Sequence, residues 1–301
     1  MNDPIATARP TAHRQVRAGP LRHLLFAVFV ALAPCVNAAV SGADNHLQVE
    51  LVSARLALVP GQTAQLGLRL RHDAHWHTYW INPGDSGLPT TLAWTLPPGF
   101  HAQDIAWPLP QRFTVGGLYN FGYDGEVVLP VPLDVPADVQ PGTTAHLAVL
   151  AKWLVCREEC IPGKAELTLD LPITTAPAQP DPRWTHQFTD AERAQPQASA
   201  WTGTARLAGE RIEIALRGPG LPEADRLDAF VAQRKLFDNK PPAIRRDGDA
   251  LLIDAGRSEY FSIAPALRDL DLVLTAPTAT GMRGWRVRVR LVTPIATPAQ
   301  P

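Results

Sequence analysis

The sequence has few cysteines, few methionines and no strong charge of either sign. Only 3 of its 301 residues are Cys and 2 are Met, and the formal net charge is −1 at pH 7. No block of Lys and Arg stands out beyond the N-terminal region, so we expect no nucleic-acid-binding surface.

The N-terminus has the pattern of an export signal. A basic region that ends at Arg22 is followed by the apolar run 24–33, and Val36-Asn37-Ala38 offers small residues for cleavage. We therefore predict that residues 1–38 are a signal peptide. No later stretch approaches the roughly 18 consecutive apolar residues of a membrane-spanning helix. No stable membrane insertion is expected after the signal is removed.

Cys35 lies inside this N-terminal region. It follows Leu32-Ala33-Pro34, which vaguely suggests a lipoprotein signal, but a Pro directly before the cysteine fits that interpretation badly. We expect Cys35 to be lost with the signal peptide. Cys156 and Cys160 then remain, and in an oxidising compartment a close pair is expected to be a disulfide or a redox pair.

Proline is abundant, with 30 residues, and favours strands, turns and extended connections over helices. Residues 46–173 read as short strands between Pro and Gly punctuation, which predicts an immunoglobulin-like β-sandwich. We expect a turn at Asn82-Pro83-Gly84-Asp85. The predicted strands are residues 47–59, 65–71, 75–80, 92–96, 105–107, 126–131, 144–155 and 165–171.

The second half is predicted to be a smaller β domain, residues 200–293. Residues 174–199 are rich in Pro and Ala and read as a linker with one short helical turn at 190–195. A hairpin is expected over 205–216, and residues 285–292 alternate with period two, so their arginines should face solvent or a partner. The expected fold class is all-β, with two β-sandwich domains, a linker and a disordered tail at 294–301.

The main chemical candidate is the pair Cys156 and Cys160. A strand leads into Cys156, three polar residues turn the chain, and Pro162 follows Cys160. So short a turn can bring the two Cα atoms within disulfide reach. A small loop constrains the unfolded chain only modestly, which suits a bond that opens and closes. A structural disulfide that pins the hairpin is the equally open alternative.

Three histidines form a second candidate. His75 and His77 would point to the same face of a strand, and His72 is close by, a set that zinc or copper can use. Matching carboxylate or thiolate ligands are not evident in the neighbouring sequence. The aromatic residues among the histidines instead favour a packed strand. We therefore expect no metal and no cofactor.

Two further segments attract attention. Gly84-Asp85-Ser86-Gly87 superficially resembles the nucleophile motif of trypsin-like proteases, but no matching histidine segment precedes it, so a polar turn is expected. The segment 113–126 is rich in Gly and aromatic residues and reads as a long loop. Its Tyr119, Phe121 and Tyr123 are candidates either to cover a reactive site or to form a small aromatic core.

Taken together, several motifs resemble the N-terminal periplasmic region of DsbD/ScsB-type thiol:disulfide interchange proteins. The likeness covers roughly residues 47–292 and weakens after the linker. The motifs that carry it are His77-Thr78-Tyr79-Trp80, Asn82-Pro83-Gly84-Asp85-Ser86-Gly87-Leu88-Pro89-Thr90, Trp107-Pro108, Tyr123-Asp124-Gly125-Glu126 and Lys152-Trp153-Leu154-Val155-Cys156 through Cys160-Ile161-Pro162.

The resemblance implies an immunoglobulin-like domain with a redox-active pair, Cys156 and Cys160, in the periplasm. Such a pair takes electrons from a membrane-embedded reductase and passes them to periplasmic thioredoxin-fold proteins. Full-length members continue into a membrane domain and a thioredoxin-like domain, which this sequence does not contain. We therefore expect a separate membrane partner or a free-standing shuttle. The alternative is a non-enzymatic binding module with a structural disulfide.

Overall fold

The computed structural model of the chain describes residues 46–262, 266–279 and 281–292. Over these ranges the chain forms eighteen strands and one α-helix, so the predicted all-β class is confirmed. The expectations for residues 1–38, for Cys35 and for the tail at 294–301 lie outside the described residues. The boundaries given above for the two domains and their linker stay a prediction.

The first half of the chain contains ten strands. Two sheets, ordered β1-β2-β8-β5 and β10-β9-β4, enclose a common apolar core. The strands are β1 Leu47–Ser53, β2 Thr63–His72, β3 Thr78–Gly84, β4 Thr91–Thr95, β5 His101–Ala102, β6 Gln111–Val115, β7 Leu118–Tyr123, β8 Glu126–Asp134, β9 Thr144–Cys156 and β10 Cys160–Pro172.

Strand β9 shows why the sandwich forms. Its buried residues alternate with exposed or half-buried ones from Ala145 to Val155. A period of two places every second side chain on the same face of a sheet, so these apolar residues all enter the core. β9 pairs with β10 along its whole length and with β4 on its other side. The end of β9, which carries Cys156, is thereby rigidly placed.

A small third sheet, ordered β3-β7-β6, differs from three expectations. The strand predicted at 75–80 begins only at Thr78, because a turn precedes it and His75 has a positive φ of 71°. The turn expected at Asn82-Pro83-Gly84-Asp85 is wrong over its first three residues. Strand β3 continues to Gly84, with an irregular register against β7 that accommodates them.

The long loop predicted at 113–126 is also wrong. Residues 111–123 form the β6–β7 hairpin, with a turn at Gly116-Gly117, where both glycines have positive φ. The glycine content concealed the strands, because glycine weakens a strand pattern. Gly122 is needed in β7 because a Cβ atom there would lie 1.8 Å from the carbonyl oxygen of Thr78 in β3. No strand forms at 105–107.

The segment after β10 contains α1, Thr185–Arg193, and packs on the first sandwich. The ring of Phe188 lies over Gly67 of β2, where an added Cβ would meet it at 3.1 Å. Just after α1, the carbonyl of Ala194 accepts a hydrogen bond of 2.8 Å from the amide of Leu109. The helical turn predicted at 190–195 overlaps only the end of this helix, which begins at Thr185 and ends at Arg193.

The second half builds one sheet of eight strands, ordered β14-β17-β18-β12-β13-β16-β15 with β11 against β18. Its alternating apolar residues share a second core, and the outward arginines of β18 are exposed as predicted. The strands are β11 Gln197–Ala198, β12 Thr202–Ala208, β13 Arg211–Arg217, β14 Asp228–Val231, β15 Ala243–Asp247, β16 Ala250–Gly256, β17 Asp269–Thr278 and β18 Gly281–Leu291.

Within the described ranges, no helix has both the length and the apolar character needed to cross a bilayer.

Candidate redox site

The two cysteines lie opposite each other at the turn end of the β9–β10 hairpin. β9 ends at Cys156, β10 begins at Cys160, and the two residues are register partners. Their sulfur atoms are bonded, with an S–S distance of 2.02 Å. The polar residues 157–159 form the exposed connection. The hairpin inferred from the sequence is thus confirmed, and it holds the two residues in bonding position.

The two sulfur-bearing residues have very different surroundings. Cys156 is only 3% exposed, whereas Cys160 is exposed. Cys156 lies at the end of the long central strand of its sheet, while Cys160 begins an edge strand. A reactant in solution therefore reaches the disulfide from the side of Cys160.

His77 is the third residue in this row. Its amide donates to the carbonyl of Cys156 at 2.9 Å, and the amide of Cys156 donates back to His77 at 2.9 Å. Antiparallel partners that exchange both hydrogen bonds point their side chains to the same face. Cys156 is therefore flanked by His77 on one side and by Cys160 on the other.

Tyr79 contacts the exposed sulfur. Two residues after His77, it lies on the same face of the chain, and its hydroxyl is 3.3 Å from the Sγ atom of Cys160. A disulfide sulfur has no hydrogen, so the hydroxyl is the donor. Burial raises the pKa of Tyr79, partly offset by a hydrogen bond with Ser86. The phenol therefore keeps its proton and remains a donor near neutral pH.

The Gly-Asp-Ser-Gly segment packs against the ring of Tyr79. Gly87 has a φ of +88°, and a Cβ atom there would lie 2.2 Å from the Tyr79 ring. Ser86 donates from its hydroxyl to the side-chain oxygen of Asn120 at 2.9 Å, which ties the segment to β7. The motif is thus a positioned turn beside the disulfide, and its serine is part of that framework.

An aromatic pair shields the side of Cys156. The His77 ring stacks on Phe113 at 4.7 Å between centroids and meets the edge of Tyr79 at 5.2 Å. Burial, aided by the neighbouring His72, lowers the pKa of His77 to about 4. The imidazole is therefore neutral near pH 7, and its Nε2 atom is buried without a hydrogen-bond partner within the described residues.

The three candidate histidines do not converge. His72 uses both ring nitrogens, one on the carbonyl of Gly125 at 2.8 Å and one on the hydroxyl of Thr78 at 3.0 Å. His75 lies in the turn before β3, so the expected shared strand face with His77 is wrong. No group of three or more metal-ligating side chains occurs in the parts of the chain that the structure describes.

Two of the three aromatic residues singled out in the sequence belong to the core, and the third, Tyr119, is half-buried. Phe121 and Tyr123 are buried in the first core, and the Tyr123 hydroxyl donates to the carbonyl of Pro108 at 2.8 Å. The hairpin residue that stacks on the neighbour of Cys156 is Phe113, at the start of the segment 113–126. A loop prediction for that segment gives Phe113 no defined position, whereas the strand β6 does.

Comparison with known proteins finds a family match in the first half of the chain. Residues 44–172 match the family described as "Thiol:disulfide interchange protein DsbD, N-terminal". Over this segment the chain is similar to the N-terminal domain of DsbD-type proteins. The resemblance predicted from the sequence is thereby confirmed, and the matched segment includes both cysteines. No curated protein matches the chain.

A solved structure extends the likeness beyond that segment. The N-terminal periplasmic domain of ScsB from Proteus mirabilis is 21% identical, with a TM-score of 0.61, and the match covers 84% of this chain and 97% of that one. It shows a shared fold that includes most of the second half. The yeast GGA1 GAE domain also matches, at 12% identity over 45% of this chain and 99% of that one, but its TM-score of 0.26 carries no conclusion.

Proposed function

We propose that this chain is a thiol–disulfide exchange protein that works through Cys156 and Cys160. The observation that carries the proposal is the asymmetry of the bond, which joins an exposed residue, Cys160, to a buried one, Cys156. Exchange proceeds by attack of a thiolate on one sulfur while the other leaves. The asymmetry designates one sulfur for each role.

In the oxidised form, a partner thiolate attacks Sγ of Cys160. A new bond joins the partner to Cys160, the Cys156–Cys160 bond breaks, and Cys156 leaves as a thiolate that takes up a proton. The partner's second thiolate then attacks the partner's first sulfur in the mixed disulfide, and Cys160 leaves as a thiolate that takes up the second proton. Two electrons and two protons have passed to this chain, and the partner has become a disulfide.

The reduced form runs the same steps in the opposite direction. The Cys160 thiolate attacks the disulfide of an acceptor, and Cys156 then attacks Sγ of Cys160 to release the acceptor as a dithiol. Tyr79, at 3.3 Å from that sulfur, can donate its hydroxyl hydrogen to the thiolate. Cys160 is therefore the attacking residue and Cys156 the resolving one.

The family match supports the choice of partners. We propose that a membrane-embedded reductase of the DsbD/ScsB type reduces the pair and that periplasmic thioredoxin-fold proteins accept the electrons. The basic and apolar pattern of residues 1–38 supports export to the periplasm. The protein itself would then be a protein-disulfide reductase component that needs no cofactor, since the electrons travel on the sulfur atoms.

Trapping of mixed disulfides tests the assignment of roles. The reduced Cys156→Ala variant lacks the resolving thiol, so it should accumulate a covalent complex with an oxidised thioredoxin-fold protein on non-reducing gels. Cys160→Ala, the matched control, retains only the buried sulfur and should accumulate little. Equal trapping by both variants, or by neither, would contradict the roles assigned here.

The reduction potential separates exchange from a structural bond. Equilibration of the pair in thiol buffers should give a potential of roughly −120 to −270 mV, the range of known exchange proteins. A value below about −300 mV would describe a bond that resists reduction. The binding-module alternative, with the disulfide as a pin, would then be preferred.

A further inference from the structure

The β6–β7 hairpin is fastened to the second half of the chain through Arg112. Its guanidinium forms two bonds to Asp228 in β14, from Nε at 2.9 Å and from Nη2 at 2.6 Å. A third donor, Nη1, binds the backbone carbonyl of Asn239. The Arg112 side chain is only 9% exposed, so the ion pair is largely withdrawn from water.

Aromatic rings enclose the same guanidinium. Its central carbon lies 4.7 Å from the ring centre of Phe121 in β7 and 4.9 Å from that of Phe230 in β14. The two rings meet edge to face at 5.0 Å. A lysine could not reproduce this arrangement, because only the planar guanidinium combines a two-pronged ion pair with stacking.

Asp85 makes a second connection at this joint. One carboxylate oxygen accepts the amide of Tyr119 in the hairpin at 2.7 Å, and the other accepts the side-chain amide of Asn239 at 2.8 Å. Close by, the Asn82 side chain donates to the carbonyl of Val231 in β14 at 2.8 Å. The conspicuous Asn-Pro-Gly-Asp segment is therefore a joint between the hairpin and the second half.

The hairpin presents a different residue on its other face. Adjacent residues of a strand point in opposite directions, so Phe113 leaves β6 on the side away from Arg112. Phe113 stacks on His77, which pairs directly with Cys156. One face of β6 thus carries Arg112 and is bound to β14. The opposite face carries Phe113 and contacts His77, the strand neighbour of Cys156.

We propose that Arg112 is a positioning residue for the redox pair. By binding Asp228 it holds the β6–β7 hairpin in place, so that Phe113 stays on His77 and limits access to the disulfide from the side of Cys156. The second half of the chain thereby restricts exchange to partners that approach Cys160. This inference rests on the proposed exchange function.

The alternative is that Arg112 only stabilises the fold. Buried ion pairs are weak contributors to stability, because desolvation offsets much of their attraction. Because Arg112 and Phe113 are neighbours on β6, loss of the Arg112 ion pair should also displace Phe113 from His77. A test must therefore separate access to the disulfide from overall stability.

The experiment measures the rate at which dithiothreitol reduces the disulfide in the full oxidised chain under native conditions. The disulfide of Arg112→Lys and that of Asp228→Asn should each be reduced about 10-fold faster than in wild type. This factor corresponds to displacement of the β6–β7 hairpin that costs about 1.4 kcal/mol less free energy. Arg211→Lys is the matched control, since Arg211 forms a solvent-exposed ion pair with Asp254 on neighbouring strands of the same sheet, and the rate for this variant should stay within about twofold of wild type.

Phe113→Ala supplies a second variant that does not touch the ion pair. It should accelerate reduction by a similar factor, and the combination of Arg112→Lys with Phe113→Ala should add little, because both act on the same cover. Melting temperatures and circular dichroism identify any variant that has lost its fold, and Asp228→Asn replaces Arg112→Lys in that case.

The outcomes are distinct. Unchanged reduction rates in folded Arg112→Lys and Asp228→Asn, or fully additive effects with Phe113→Ala, would overturn the positioning role. A wild-type disulfide that resists reduction in thiol buffers would overturn the proposed function. Faster reduction of the variants, with an unchanged rate for Arg211→Lys, would support the positioning role.

Discussion

Removal of the Tyr79 hydroxyl should make the exposed cysteine less reactive. In the reduced protein this hydroxyl is positioned to donate to the Cys160 thiolate, because it lies 3.3 Å from that sulfur in the disulfide form. Hydrogen bonds to a charged acceptor stabilise it and thus favour the ionised form. Tyr79→Phe retains the ring in contact with Gly87 and removes only the hydroxyl donor.

The size of the effect follows from the type of bond. A hydrogen bond to a charged group contributes about 1.5–3 kcal/mol. At 1.36 kcal/mol per pH unit, its loss should raise the pKa of the Cys160 thiol by about one to two pH units. The thiolate fraction below the pKa then falls about 10- to 100-fold, but the more basic thiolate is intrinsically more nucleophilic, so the net rate falls about 3- to 10-fold.

The assay is the pH dependence of iodoacetamide alkylation in a Cys156→Ala background, where Cys160 is the reactive thiol. Tyr79→Phe should move the alkylation profile to higher pH and lower the rate at pH 7. Tyr260→Phe is the control, since Tyr260 is 70% exposed and belongs to the second half of the chain. A profile for Tyr79→Phe that overlays its parent would refute the assigned donor role.

Two further predictions concern the residues around the pair. Burial lowers the pKa of His77 to about 4, so between pH 6.5 and 4 the unfolded chain binds a proton that the folded chain does not. Acidification over this range should therefore lower the unfolding free energy by at most ~3 kcal/mol. His77→Gln should flatten that part of the pH profile of stability, measured by urea titration. Gly87→Ala places a Cβ atom against the Tyr79 ring and should lower the unfolding free energy by about 2–4 kcal/mol. The control is Gly125→Ala, which also has a positive φ but no atom within 4 Å of the added Cβ, and it should lower the unfolding free energy by only about 1–2 kcal/mol. Equal losses would contradict the clash with Tyr79.

Regular strands could be predicted because their signal is local. The alternation in 144–155 and in 285–292 is a property of neighbouring residues, and both segments are strands in the structure. The β6–β7 hairpin could not be predicted in this way, because Gly116, Gly117 and Gly122 dilute its pattern. Their roles depend on a turn and on the close approach of β3, which is distant in sequence.

The same distinction applies to the site. The pairing of Cys156 with Cys160 follows from a short turn, so sequence reasoning placed the two residues in one hairpin. The contacts of His77 and Tyr79 with that pair join residues about 80 positions apart, and no local pattern contains such information. The match to a known family was the indirect signal, since His77 and Tyr79 lie within one of the motifs that carried it.

The geometry of the hairpin also indicates how much the disulfide contributes to stability. β9 and β10 are register partners from Cys156 and Cys160 back to Thr144 and Pro172, so twelve residue pairs besides the two cysteines hold the hairpin together. Closing a loop of about five residues stabilises a fold by only about 2 kcal/mol in the chain-entropy treatment. Opening the bond therefore leaves the strands in place and frees one exposed and one buried thiol, which is the state that an exchange protein must be able to adopt without unfolding.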